Sequence, residues 1–254
     1  MLLAVDIGNT NTALGIFLEK KLIEDWKIRT ERERTSDEYA LTLLSLLNSS
    51  GIETAEIKSA IISSVVPPLT PVFQNLCQKL FKLKPLVVGP GLKTGMSILY
   101  DNPLEVGADR VVVAVAAFEK YGGPCVVVDF GTATTFDAIS SQGEYLGGAI
   151  APGIQISAEA LFLKTAKLPR IEIRKPKKAI GRSTVASMQS GLFFGYVGLI
   201  SNIIRKIKAE LGRKAKVIST GGFAAQISPE IKSIDVHEPH LTLEGLRIIQ
   251  ERNQ

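Results

Sequence analysis

Leu3-Ala4-Val5-Asp6-Ile7-Gly8-Asn9-Thr10-Asn11-Thr12 is a short apolar run, an aspartate, one more apolar residue, a glycine, and a turn rich in hydroxyls and amides. The same order of residue types returns 123 residues later, from Asp6 to Asp129, as Val126-Val127-Val128-Asp129-Phe130-Gly131-Thr132-Ala133-Thr134-Thr135. An apolar run of this length bounded by turn formers predicts a β-strand. Two copies on either side of the chain midpoint, an offset far beyond any solenoid period, predict duplicated domains. The expectation is two similar α/β halves facing one another across a cleft.

The flanking sequence supports the duplication. Residues 13–18 and 22–28 predict two further strands after the first turn, and 136–139 and 143–150 repeat them after the second. Thr35-Ser36-Asp37-Glu38 is a capping-box pattern, with Thr35 as N-cap, before a helix over 39–47 that stops near Gly51. A strand over 59–66 ended by Pro67-Pro68, a helix over 69–81 and a short strand over 86–88 complete a βββαβαβ order. Residues 109–120, capped by Asp109 and stopped by Tyr121-Gly122-Gly123-Pro124, predict a helix joining the halves. The division is set at 1–116 and 117–254. A long helix follows over 184–211, where Gly191, Gly195 and Gly198 permit close backbone approach, and then a strand over 216–220.

Composition excludes several classes. With 254 residues, 45% hydrophobic content and a net charge of +5, the chain is neither disordered nor fibrous. Its longest uncharged apolar run, 111–118, is far short of the ~20 residues a membrane helix needs. Met1 to Val5 followed by Asp6 lacks the layout of a signal peptide, so the expected location is the cytoplasm. Cys77 and Cys125 lie in apolar surroundings without metal-ligand spacing and read as buried thiols. His237 and His240, interrupted by Pro239, read as exposed loop histidines. Eight basic residues between Lys164 and Arg182 face one acid, Glu172. Without a nucleic-acid signature around it, this stretch reads as a solvated loop or a collar for an anionic ligand such as ATP.

A strand ending in aspartate and followed by glycine leaves backbone N–H groups free to meet phosphate oxygens. Thr10, Asn11, Thr12, Thr132 and Thr134 can add donors without adding charge. One such turn alone reads as a plain hairpin; two in matching contexts read as a phosphate clamp. Neither GxxxxGK[ST] nor GxGxxG is present, which excludes the P-loop and the dinucleotide fingerprint. Gly221-Gly222, after a predicted strand, would let an adenine or ribose approach the backbone.

The Asp-x-Gly turn, Asp-x-Gly-Thr turn and Gly-Gly turn, in this order, resemble the sugar kinase and actin-like ATPase superfamily. Within it, the sequence closely resembles type III pantothenate kinases. The resemblance rests on Asp6 to Thr12, Tyr100-Asp101-Asn102-Pro103, Gly107-Ala108-Asp109-Arg110 and Asp129 to Asp137. It extends through Gly147 to Ile154, Gly181-Arg182-Ser183-Thr184, Ser187 to Gly191 and Leu241 to Leu246.

This resemblance implies duplicated actin-like ATPase (ribonuclease H-like) domains, with mixed sheets flanked by helices and the ligand cleft between them. It implies ATP-dependent phosphorylation of pantothenate to 4'-phosphopantothenate, opening coenzyme A synthesis. Asp109 is then the general base. Asp6, Ile7, Gly8, Asn9, Thr10, Asn11, Thr12, Ala13 and Thr132 surround ATP. Tyr100, Gly107, Ala108, Asp109, Arg110 and Thr184 line the pantothenate side. Asp6 acts on magnesium through water, and Asp129 holds a monovalent cation, potassium or ammonium. A homodimer is implied, with Thr184 reaching the partner's substrate site, and neither membrane nor nucleic acid is an expected partner. The competing readings are a catalytically weak homologue serving as an accessory transcription factor, and a kinase for another small hydroxyl compound.

Overall fold

Leu2–Ile7, buried on both faces except at Asp6, and the turn at Gly8 start a meander that sets the topology of the first half. A computed structural model describes all 254 residues. The first half contains β1 (Leu2–Ile7), β2 (Asn11–Leu18), β3 (Lys21–Arg29), α1 (Ser36–Ser49), β4 (Ser59–Ser64), α2 (Thr70–Phe81), β5 (Leu86–Val87) and α3 (Ala108–Tyr121). The second contains β6 (Cys125–Phe130), β7 (Ala133–Ile139), β8 (Tyr145–Pro152), α4 (Ile154–Lys164), α5 (Thr184–Leu211), β9 (Lys216–Thr220), α6 (Ala224–Ile227), β10 (Val236–His237) and α7 (Leu241–Glu251).

The two sheets repeat one plan. The first has five strands in the order β3-β2-β1-β4-β5, and the second five in the order β10-β9-β6-β7-β8. In the first, β1, β2 and β3 are antiparallel neighbours while β4 and β5 add in parallel. In the second, β6, β7 and β8 are antiparallel while β9 and β10 add in parallel. The hairpin turns are short enough for antiparallel pairing, whereas the parallel additions need the helical crossovers. Asp6 and Asp129 occupy the same place, near the end of the strand where each sheet changes from antiparallel to parallel. These are the mixed, helix-flanked sheets that the family resemblance implied.

Capping chemistry explains α1. The Thr35 hydroxyl accepts from the Glu38 N–H at 3.4 Å, and Glu38 Oε2 accepts from the Thr35 N–H at 2.8 Å. Gly51, at φ +68°, follows the end of the helix. The expected strand from 143 starts instead at Tyr145, because Gly143 at φ +81° belongs to a turn in which Ser140 Oγ accepts the Gln142 and Glu144 N–H groups. The helix α4 has no counterpart in the sequence reading.

Chain packing forms two compact units: 1–96, 101–116 and 240–254 in one, and 97–100 with 117–239 in the other. The break after Ala116 falls inside α3. A linear division at 116/117 leaves α7 in the second half, but α7 packs on β1, β2 and β4 of the first unit. Leu243 touches Gly15 on β2, and Gly245 sits so close to the Val112 backbone of α3 that any side chain there would collide. Leu241, Leu243, Leu246 and Ile249 are buried on that side, each worth ~1.5–3 kcal/mol. The opposite face of β1 and β2, with Leu3, Val5, Ile7, Leu14 and Ile16, packs against Leu43 and Leu47 of α1 and Phe73 and Leu76 of α2. In the second unit Val126, Val128 and Phe136 meet Phe193, Ile200 and Ile204 of α5. Both cysteines are buried, and burial alone pushes each thiol up to about 12.

Candidate functional site

In the first unit the turn after β1 is closed by the Gly8 N–H donating to Asn11 O at 3.1 Å. A Cβ on Gly8 would stand 2.9 Å from that same oxygen, so a side chain there would disrupt the closure. Asn9, Thr10 and Asn11 are exposed and Asp6 is half-buried at the strand end, between Ala13 and Ser63 in register. Thr12 is turned inward: it is fully buried and its hydroxyl lies 2.9 Å from that of Thr30. Ile7 is likewise a core residue, and Ala13 is half-buried. Only the backbone of Ile7 is therefore suited to a ligand, whereas the tip from Gly8 to Asn11 presents both backbone and side chains.

Asp109 lies in the first turn of α3, one residue after Ala108, and does not occupy the expected N-cap position. Its Oδ1 instead accepts the N–H of the next residue, Arg110, at 2.9 Å. Burial raises the Asp109 carboxyl above its ordinary value, opposed by the Arg110 N–H and guanidinium. The bare α-carbon of Gly107 makes room for this carboxylate: a Cβ there would stand 2.5 Å from Asp109 Oδ1. Arg110, which the resemblance places on the pantothenate side, is buried. Gly107-Ala108-Asp109-Arg110 is thus a local device that sets one carboxylate at a helix N-terminus.

In the second unit two separated stretches converge on the turn that follows Asp129. Gly153 donates its N–H to Thr132 O at 3.2 Å, and a Cβ on Gly153 would run into the Gly131 and Thr132 carbonyls. Gly221, at φ +95°, packs so that a Cβ would meet Asp129 Oδ1 and the Phe130 backbone. Gly222 faces open space. The first of the paired glycines therefore serves close packing on the Asp129 turn, and the second leaves the backbone approachable. Thr132 is exposed at the turn, whereas Thr134 is buried with its hydroxyl on Tyr196 and is not available to a phosphate.

Tyr100 is half-buried in the second unit, with its ring over Gly147. Thr184 is exposed at the start of α5, whose N-cap Ser183 accepts the Ala186 N–H at 3.2 Å. Gly181 packs against the Ser187 backbone, which accounts for the glycine in that block. The basic stretch between α4 and α5 has no regular structure but is tied down. Lys175 pairs with Glu230 at 2.7 Å, Gln226 Nε2 donates to Ile173 O at 2.8 Å, and the Arg170 guanidinium stacks on Phe162. His237 lies exposed on the short edge strand β10, and His240 opens α7 with Nδ1 3.8 Å from Asp25. No three His, Cys, Asp or Glu side chains gather as a metal cluster. Nor is any helix long and apolar enough to cross a membrane.

A family model described as type III pantothenate kinase matches residues 2–206. A Syntrophus aciditrophicus protein named type III pantothenate kinase is 54% identical over 253 residues, covering 100% of both chains. The chain belongs to the type III pantothenate kinase family. Among solved structures it resembles a conserved Campylobacter jejuni protein assigned to the Baf family of transcriptional activators, with TM-score 0.61 and 21% identity over 99% of this chain and 98% of the other. It also resembles an inorganic polyphosphate/ATP-glucomannokinase from an Arthrobacter species, with TM-score 0.50 and 14% identity over 99% and 97%. At these identities the structural likenesses speak for the fold alone. Sequence reasoning gave no role to Gly153, whose missing side chain lets it lie on the Gly131–Thr132 turn, although it stands inside a block already matched to type III pantothenate kinases.

Proposed function

We propose that the chain transfers the γ-phosphoryl group of ATP to the primary hydroxyl of pantothenate, giving ADP and 4'-phosphopantothenate at the entry to coenzyme A synthesis. The observation that carries this reading, within the family established above, is the seating of Asp109. A carboxylate with a raised pKa is held at the start of α3 by its neighbour's N–H and by the missing side chain of Gly107. In a loose phosphoryl-transfer transition state the hydroxyl needs orientation and a late proton acceptor, and Asp109 supplies both. As the hydroxyl oxygen bonds to the γ-phosphorus, its bond to the β–γ bridging oxygen breaks. The hydroxyl proton passes to an Asp109 carboxylate oxygen.

The turn from Asp6 to Ala13 and Thr132 bind the nucleotide, chiefly through the N–H groups and side chains of the exposed tips. Tyr100, Gly107, Ala108 and Arg110 orient pantothenate. The oxygen donors present suit hard cations, so Asp6 would hold magnesium through water and Asp129 a potassium or ammonium ion. When bound, these cations supply neutralisation of phosphate charge. A homodimer through α5, with Thr184 at the partner's substrate site, is supported by an exposed stripe in which Gly191, Gly195 and Gly198 alternate with Phe194 and Leu199. The location that fits this chemistry is the cytoplasm.

The test is ADP release on adding pantothenate to the folded protein with ATP, magnesium and potassium, beside a panel of sugars and a DNA-binding control. Pantothenate-dependent release is expected. Release with a sugar but not with pantothenate would overturn the reading.

A further inference from the structure

Tyr100 is held by Gly147 and Tyr145 and, behind Tyr145, by Asp137. Its segment runs beside β8: the Leu99 N–H donates to Tyr145 O and the Tyr145 N–H to Ser97 O, each at 2.8 Å. The Tyr100 ring lies over Gly147, at φ +108°, where a Cβ would stand 3.2 Å from it. It also packs against the Tyr145 ring, with centroids 6.4 Å apart and planes tilted by 53°. Tyr145 is fully buried and donates its hydroxyl to Asp137 Oδ1 at 2.8 Å. Asp137 is fully buried as well, and its Oδ2 accepts from the Thr135 hydroxyl at 3.2 Å.

Placing a carboxylate at zero exposure inside a small sheet is costly, and a hydrophobic pair of the same volume would fill the space at least as stably. Two hydroxyl donors offset part of that cost and, in return, tether the Tyr145 ring, since a hydrogen bond to a carboxylate is charge-assisted and weakens steeply when its O–H···O angle bends. We infer that Asp137 and Tyr145 are positioning residues for pantothenate. The carboxylate anchors the Tyr145 phenol, and the Tyr145 ring and bare Gly147 together set the plane of the Tyr100 ring. The inference rests on the reading of Tyr100 as a pantothenate contact.

The experiment measures KM for pantothenate and for ATP, with kcat, in Tyr145→Phe, Tyr100→Ala and the double variant, with melting temperature as the folding control. Tyr145→Phe should lower kcat/KM for pantothenate about tenfold while the KM for ATP stays within about twofold. In the Tyr100→Ala background the same change should have no further effect on pantothenate. If Tyr145→Phe does not fold, the comparison is made between Asp137→Asn and Asp137→Asn/Tyr145→Phe, where a neutral amide faces the lost hydroxyl. Equal losses toward both substrates, or losses that multiply with Tyr100→Ala, would overturn the positioning role. An unchanged pantothenate KM in Tyr100→Ala would instead remove Tyr100 from the substrate side, and the inference with it.

Discussion

Gly107→Ala is the most direct probe of the way the chain seats its proposed base. A Cβ at residue 107 would stand 2.5 Å from Asp109 Oδ1, short by about 0.9 Å of the 3.4 Å at which ordinary contact begins. The carboxylate must move by roughly that distance, giving up its 2.9 Å bond from the Arg110 N–H. A misplacement of about 1 Å at a reacting group costs on the order of 100-fold in rate, or about 2.7 kcal/mol of transition-state stabilisation. The fold should tolerate the change, since Gly107 is not among the positive-φ residues and alanine reduces the entropy of the unfolded chain. The assay is coupled ADP release at saturating ATP and pantothenate, with thermal melting alongside. A kcat about 100-fold down with little change in melting temperature is expected. Combining the change with Asp109→Asn should then add almost nothing. A folded Gly107→Ala enzyme within threefold of the parent, or losses that multiply in the double variant, would refute the argument.

Asp109→Asn should lower turnover by about 10²- to 10⁴-fold. Because burial raises the folded-state pKa of Asp109, the folded state holds its proton more tightly. Its contribution to stability is therefore lost as pH rises through that pKa, so the Asn variant should melt no lower than the parent at neutral pH. The acid limb of kcat/KM in the parent should fall above the ordinary carboxylate value, and a limb at the ordinary value would contradict the assignment. Gly221→Ala forces a side chain onto Asp129 and the Phe130 backbone at φ +95° and should cost about 1–3 kcal/mol in urea unfolding, with weaker ATP binding; unchanged stability would refute the close-packing account. Phe194→Glu, on the exposed face of α5, should convert a dimer to monomer in sedimentation, and an unaltered dimer would place the interface elsewhere.

How much of this was legible beforehand varied with the range of the interactions. The capping box at Thr35, the βββαβαβ order and the helix over 184–211 depend on neighbours a few residues apart, and they appear where the sequence places them. The inward turn of Thr12 and Thr134 was not legible, because a hydroxyl in a turn reads the same whether it faces solvent or a partner 18 or 62 residues away. The purpose of Gly107 and Gly221 was equally hidden: Gly107 makes room for the Asp109 carboxylate, and Gly221 for the Asp129 carboxylate and the Phe130 backbone, facts about atoms rather than about residue order.

By itself the sequence determined the duplication, through two Asp-x-Gly turns whose strand and turn chemistry is local, and it carried the family's blocks from Asp6 to Leu246. Tertiary structure decided the rest. It sent α7 back to the first unit, because β1 and β2 offered its apolar stripe a face that only the folded sheet creates. It also buried Asp137 against Tyr145, since the meander brings into hydrogen-bonding distance groups that no sequence spacing marks as partners.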